Sequence, residues 1–419
     1  MKVYPFPEKP FWKGAFALFL TALLFLCRDS MFATALIGFY PSQFWMLGLI
    51  IAAGGLFLAV NRRNLKQILH DRRLLVMAGA SLALLLPMVC KGDWQLMYFS
   101  VLLGLLLGIF LTCFVSYRQA AKTYVAILTV LGAYSVLAAY GLRLGVDRGS
   151  YSVPVFYNSI GIKFYNFFFS IVPDTYVKDR NFGIFREPGV YQFFLLLALY
   201  LNNDAVDWKG RWQQWTANAV LGLTMLTTFA TGGVIEMGLL AVLLFFDKKW
   251  YRNRTLRLAA AALIVAAVGL VCYCAATKNG LYWSVYDMFI GKFQGSNESG
   301  PDRIQSITVN LKTFLESPLV GRELSTVLHA LDNNTSSTMI LFAGFGILGG
   351  GVHLAAWASM VWKKERHILV NGCYLVILLM SFNTQNLIAD VFLWLFPMMA
   401  LTERVLPLLN KKEETNGNP

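Results

Sequence analysis

Runs of roughly 15 to 26 apolar residues alternate along this chain with short polar or charged breaks. Each run approaches about 20 residues, the length that carries an α-helix across about 30 Å of hydrocarbon. Twelve such segments are readable: 11–27, 44–60, 74–90, 94–116, 123–142, 188–202, 214–230, 232–246, 258–277, 337–362, 368–383 and 387–402. The pair at 214–246 is parted only by Ala230-Thr231-Gly232-Gly233, so one long helix is the competing reading. A further stretch, 155–172, is apolar and aromatic but broken by Asn158, Lys163 and Asn166. It reads as a helix lying in the outer interface rather than a span.

Charge decides between these readings. With the amino terminus inside, connections 61–73 and 247–257 each carry five basic residues and one acidic, and both fall inside, as short Lys/Arg-rich loops should. Merging 214–246 into one span, or letting 155–172 cross, throws the 247–257 cluster outside. Twelve helices with both termini inside therefore satisfy the rule. Two long outer loops result, 143–187 and 278–336, and the polar tail 410–419 is expected to be disordered. Connections of that length in a short-looped protein usually carry function.

Composition agrees with the pattern. Of 419 residues, 57% are hydrophobic and 14% charged, with mean hydropathy +0.55, whereas soluble domains carry about 25% charged residues. The net charge of +13 sits largely in short inner loops, so it reads as an orientation signal and not as a nucleic-acid surface. All six cysteines fall in apolar segments, which implies no disulfide framework. The first segment lacks a cleavage site and reads as a retained helix. The fold class is all-α: a polytopic membrane protein built as one transmembrane domain in contact with the lipid bilayer.

Candidate chemistry gathers at the outer side. In the stretch 180–191, Arg180 and Arg186 stand beside Pro188, a residue suited to a helix start, and such an N-terminus attracts phosphate. Glu187 is either the ion-pair partner of Arg186 or a base. In 295–303, Asp302 and Arg303 open an amphipathic helix, where Arg303 is either locally paired or a second cation facing the first loop. His329, the only histidine on the outer side, is either solvated or a proton carrier. Glu236 and Asp390 lie near the outer ends of their helices, at depths where ionisable residues are functional candidates, unless they reach water. Phe164 and Tyr165 belong to the aromatics of 155–172, which form either an interface belt or a platform for sugars. The run Gly349-Gly350-Gly351 reads as close helix packing. No zincin, Ser-His-Asp, Walker, CxxC or acidic metal constellation is present, so the expected chemistry needs no metal and no cofactor.

Four stretches occur in order: RNFGIFREPGVYQFFLLLALYL, LTTFATGGVIEMGLLAVLLFF, SGPDRIQSITVNLKTFLESPLVG and NNTSSTMILFAGFGILGG. This set, covering roughly 180–350, resembles the bacterial O-antigen and capsule polymerases, the Wzy class within the wider O-antigen ligase superfamily. The resemblance implies a GT-C-like glycosyltransferase of the bacterial inner membrane, acting on undecaprenyl-diphosphate-linked oligosaccharides at its periplasmic or extracellular face. A chain-length regulator and a flippase are candidate partners. It also implies that Arg186 and Arg303 face the lipid diphosphate; Asn334 and Ser336, in the polar stretch that leads into the tenth helix, are candidate substrate contacts. Ala230 stands where the family's threonine/glycine element usually has serine. Asn333-Asn334 stands where ligases tend to carry a His-Asn pair, which favours a polymerase. A ligase passing the glycan to lipid A-core or protein, and a non-enzymatic flippase or transporter, are the alternatives.

Overall fold

The computed structural model describes residues 10–32, 42–60, 66–67, 70–141, 156–157, 163–166, 169–173, 180–278, 286 and 299–416. Its helices are α1 (Pro10–Leu26), α2 (Ser42–Val60), α3 (Arg73–Lys91), α4 (Leu96–Leu111), α5 (Tyr117–Val136), α6 (Pro188–Asp204), α7 (Arg211–Thr227), α8 (Thr231–Asp247), α9 (Arg254–Thr277), α10 (Ser299–Glu316), α11 (Leu324–His329), α12 (Ser337–Val361), α13 (Ile368–Phe382) and α14 (Phe392–Asn416). Apart from α10 and α11, these helices follow the twelve apolar segments. Four stretches, Arg73–Lys91, Tyr117–Tyr140, Ser337–Val361 and Phe392–Leu409, are long and apolar enough to cross a membrane. The body is that of a helical membrane protein.

Helix α6 is the axis. Between Val190 and Leu201 its sequence is apolar except for Gln192, and a helix with no polar face buries every face: Pro188 and all residues from Val190 to Asn203 are buried. Helices α5, α7, α8 and α13 pack around it. Phe194 stacks on Phe185, with ring centroids 4.2 Å apart, and meets Phe392 of α14 edge-on. By contrast, Leu75 of α3, Val242 of α8 and Val265 of α9 are exposed, a surface suited to lipid.

The 214–246 pair is two helices. Between them Phe229 adopts φ +47°, a left-handed conformation uncommon outside glycine, and α8 restarts at Thr231. Helix α12 is broken at Gly346, φ +63°. There Ile347 N donates to Pro318 O at 2.8 Å and Arg322 N to Ala343 O at 2.7 Å, docking the chain that leaves α10 against α12. A side chain at Gly346 would strike the backbone of Leu319. Of the glycine run, only Gly349 packs closely on another helix, a Cβ there coming within 3.0 Å of Leu84 on α3, whereas Gly350 faces Phe342 of its own helix and Gly351 faces open space.

Two expectations are corrected. The stretch 155–172 is not a helix: its described residues form a three-stranded antiparallel sheet, β1 (Phe156–Tyr157), β2 (Lys163–Asn166) and β3 (Ile171–Pro173). Phe164 pairs with Phe156 and Pro173, and Tyr165 with Val172. Aromatic and β-branched residues fit a pleated, half-buried surface, and the apolar run is equally compatible with that surface. The tail is not disordered as far as it is described, because α14 continues to Asn416. Residues 279–285, 287–298 and 417–419 of the second loop and tail lie outside the described residues.

Candidate functional site

The turn 180–187 joins the first long loop to the bundle, and Asn181 is its fixing point. Asn181 Nδ2 donates to Ser135 Oγ of α5 at 2.9 Å and to Thr227 Oγ1 of α7 at 3.0 Å. Its Oδ1 accepts from Gly183 N at 2.9 Å. Gly183 has φ +54°, and a Cβ there would lie 2.6 Å from the Tyr191 ring, so glycine is required for the turn to close on α6. Gly183 O accepts from Ile171 N at 2.6 Å, which ties β3 to the same turn.

Beyond the turn, the chain pairs with the residues that leave α1. Ser30 and Phe185 form an antiparallel bridge, and Arg186 N donates to Asp29 O at 3.0 Å. This sets two side chains together: Arg186 Nε lies 2.5 Å from Asp29 Oδ1, and Arg186 Nη1 lies 2.9 Å from Glu187 Oε1. Asp29 is 3% exposed, Arg186 29% and Glu187 47%. A buried carboxylate therefore holds the guanidinium from below while a second one holds its rim. Pro188 opens α6 directly after Glu187, as its ring geometry favours.

Two more cations join this group. Arg180 Nε donates to Thr228 O at 3.0 Å, which seats it on the turn between α7 and α8. Burial lowers its pKa from the ordinary arginine value, Glu187 opposes that shift, and Arg303 adds to it. Arg303, near the start of α10, is likewise shifted down by burial, with Glu236 and then Glu187 opposing. Arg303 thus lies within electrostatic reach of Glu236, Glu187 and Arg180, and Arg180 within reach of Glu187, which links both arginines to Arg186. Glu236 is 1% exposed and does not reach water. Its Oε2 has no hydrogen-bond partner among the described residues.

The other expected residues fall elsewhere. Asp302 does not pair with Arg303; it accepts from Asn333 Nδ2 at 3.2 Å. Asn334 is buried inside an amide network. Its Oδ1 accepts from Ser306 Oγ and Asn310 Nδ2 at 2.7 Å each, and its Nδ2 donates to Val327 O at 2.8 Å. Ser336 Oγ donates to Asn383 Oδ1 at 3.2 Å. Asn334 and Ser336 therefore clamp α10 and α13 to the start of α12, and their polar atoms are spent on the fold. Phe164 packs with Met31, Ile171 and Phe182, and Tyr165, on the opposite face of β2, packs with Ala138 and Tyr134. Buried as they are, neither offers a ring for stacking sugars. His329 ends α11, exposed, with Nδ1 2.8 Å from Ser325 O. None of its described contacts reaches the arginine cluster.

Two participants were not anticipated. Asp29 was hidden because its partner Arg186 is 157 positions away, although it is the only acid between 28 and 43. Gln192 Oε1 accepts from Gly233 N at 2.7 Å, fastening α8 to α6 beside Glu236; a polar residue in so apolar a helix was the available signal. Asp390, 0% exposed, does not reach water either. Its Oδ1 accepts from Phe392 N at 2.8 Å, capping α14, and it lies within electrostatic reach of Asp29.

Among the described residues, no group of three or more His, Cys, Asp or Glu side chains is arranged to hold a metal ion. What the cluster offers is three guanidinium groups and three carboxylates, Asp29, Glu187 and Glu236, at the start of a buried helix. Guanidinium forks match phosphate oxygens bidentately, and the first-turn N–H groups of α6 add partial positive charge. No family model matches the chain, and no curated protein or solved structure matches it.

Proposed function

We propose that the chain is a polysaccharide polymerase that transfers an undecaprenyl-diphosphate-linked glycan onto a lipid-linked repeat unit. In this reading twelve helices span the bacterial cytoplasmic membrane, both termini are inside, and the arginine cluster faces outward. The observation that carries the proposal is that Glu187, ion-paired to Arg186 at the end of the first long loop, also lies within electrostatic reach of Arg180 and of Arg303 from the second loop, and that Arg303 in turn reaches Glu236.

The reaction fits those groups. An acceptor hydroxyl attacks the anomeric carbon of the donor glycan, the bond from that carbon to the diphosphate oxygen breaks, and the lipid diphosphate departs with the electron pair. Charge developing on the leaving group is where preorganised donors contribute most, and Arg186 and Arg303 supply them. Asp29 and Glu187 fix the orientation of the Arg186 fork. The hydroxyl proton needs a carboxylate within the site. Glu187 already neutralises Arg186, and His329 stands apart, so Glu236, with Oε2 unpartnered, takes the role of base.

A strain lacking the protein tests the assignment. Its acceptor should be capped with one repeat unit and carry no ladder. Loss of the single-unit product too, with repeat-unit synthesis and export intact, favours a ligase. Orientation is tested by cysteine labelling with an impermeant maleimide. Thr326→Cys should react from outside and Asn253→Cys only after permeabilisation.

A further inference from the structure

The opposite end of α6 carries a second polar site. Seventeen residues separate the two, about 25 Å at 1.5 Å per residue. Here a cavity of about 490 Å³ opens between the end of α6, the start of α7, the end of α8 and the residues that follow α12. Four cations line it, Arg118, Arg211, Lys248 and Lys363, against two acids, Asp204 and Asp207. Both acids are already engaged: Asp207 with Arg118 at 2.8 Å, and Asp204 with Lys363 at 2.9 Å and with Arg366. Arg211 and Lys248 have no ion pair among the described residues. Asp204 and Asp247 act on Lys248 only at longer range, so the lining carries four cations to two acids and, among the described residues, neither Arg211 nor Lys248 is held by a close carboxylate.

We infer that this cavity binds a phosphate-bearing anion, with Arg211 and Lys248 as its principal contacts. Charge alone does not require a ligand, since basic residues at such an end also orient the chain. The placement is more specific than that. Both cations line one concave space instead of dispersing over the surface, and Trp208 and Trp250 form part of the same wall. Exposed Trp212, Trp215, Phe246 and Tyr251 lie close to it in sequence on the same helix ends. Tryptophan and tyrosine concentrate at the level of lipid headgroups, and basic pockets between membrane helices at that level suit anionic headgroups. A soluble phosphate compound would find the same cations. This inference does not depend on the reaction at the Arg186 end.

The test uses the purified full chain in neutral detergent, with retained lipid measured by native mass spectrometry. Phosphatidylglycerol, phosphatidylcholine and inorganic phosphate are the probes. Wild type should retain phosphatidylglycerol over phosphatidylcholine, and the pair Arg211→Gln with Lys248→Gln should weaken that retention roughly tenfold or more. The pair Arg252→Gln with Arg257→Gln removes the same charge from the same end without touching the cavity, and should retain it as wild type does. Charge-conserving Arg211→Lys with Lys248→Arg keeps binding and guards against misfolding as the cause of loss. Retention of inorganic phosphate, lost in the glutamine pair, without preference for phosphatidylglycerol supports the phosphate site and assigns it to a soluble ligand. Equal loss in the 252/257 pair, or no loss in the 211/248 pair, overturns the inference.

Discussion

The two ends of α6 are built from the same residue types and spend them differently. At the Asp204 end, Arg366 joins Asp204 and also Asp247, the latter at 3.0 Å. Tyr200 and Tyr374 donate to those acids at 3.0 Å each. Neither acid keeps a buried oxygen without a partner. At the Pro188 end, Asp29 Oδ2, Glu236 Oε2 and Asp390 Oδ2 are all buried and unpartnered among the described residues. A satisfied ionic network holds a fold together, whereas buried polar atoms without partners are costly and persist where something else requires them. The Asp204 network is a clamp beside the cavity, whereas the Pro188 end keeps buried oxygens unspent, as the proposed reaction there requires.

That contrast can be broken by substitution. Arg366→Gln strips the clamp's shared cation and should cost about 3–5 kcal/mol of stability, the usual penalty for removing one partner of a buried pair. A thermal melt reads that loss, and turnover per folded molecule should hold. Arg186→Lys and Arg303→Lys should do the reverse, lowering polymer synthesis by about 10²–10³-fold with the melt unchanged, because lysine keeps the charge and lacks the fork. Glu236→Gln removes a buried carboxylate whose Oε2 has no hydrogen-bond partner among the described residues. Turnover should fall by about 10²-fold while stability stays level or rises. Asp29→Asn leaves Arg186 in place and loosens its orientation, for a loss of about tenfold in turnover. Excess chelator, and Arg322→Lys at a residue paired with Glu316 on the surface, should change turnover least of all.

The helices were readable because a bilayer demands long apolar runs and punishes charge within them. Pro188 marked the start of α6 to the residue, and the break before Thr231 followed from loop charge. Arg186, Arg303, Arg180, Glu187 and Glu236 were readable as candidates, since each is an ionisable residue near a helix end on the side that loop charge reads as outer. Their partners were not. Asp29 meets Arg186 only through a bridge between distant segments, which no local pattern encodes. Asn334 and Ser336 illustrate the opposite difficulty, because an amide network that staples α10 to α12 looks, in sequence, like a polar binding loop. The sheet at 156–173 escaped for a third reason: aromatic residues suit an interfacial helix and a pleated strand alike, and only strand pairing separates the two.

The most direct test of the chemistry proposed for the arginine cluster is reconstitution. Purified protein in liposomes would receive lipid-diphosphate-linked repeat units as the sole substrate, with product length and released lipid diphosphate both measured. Wild type should give a ladder of lengthening glycans with one lipid diphosphate freed per new linkage, and Arg303→Lys should give neither product. A ladder of wild-type length and rate from Arg303→Lys, or no transfer by wild type until a different acceptor is supplied, would contradict the proposed chemistry.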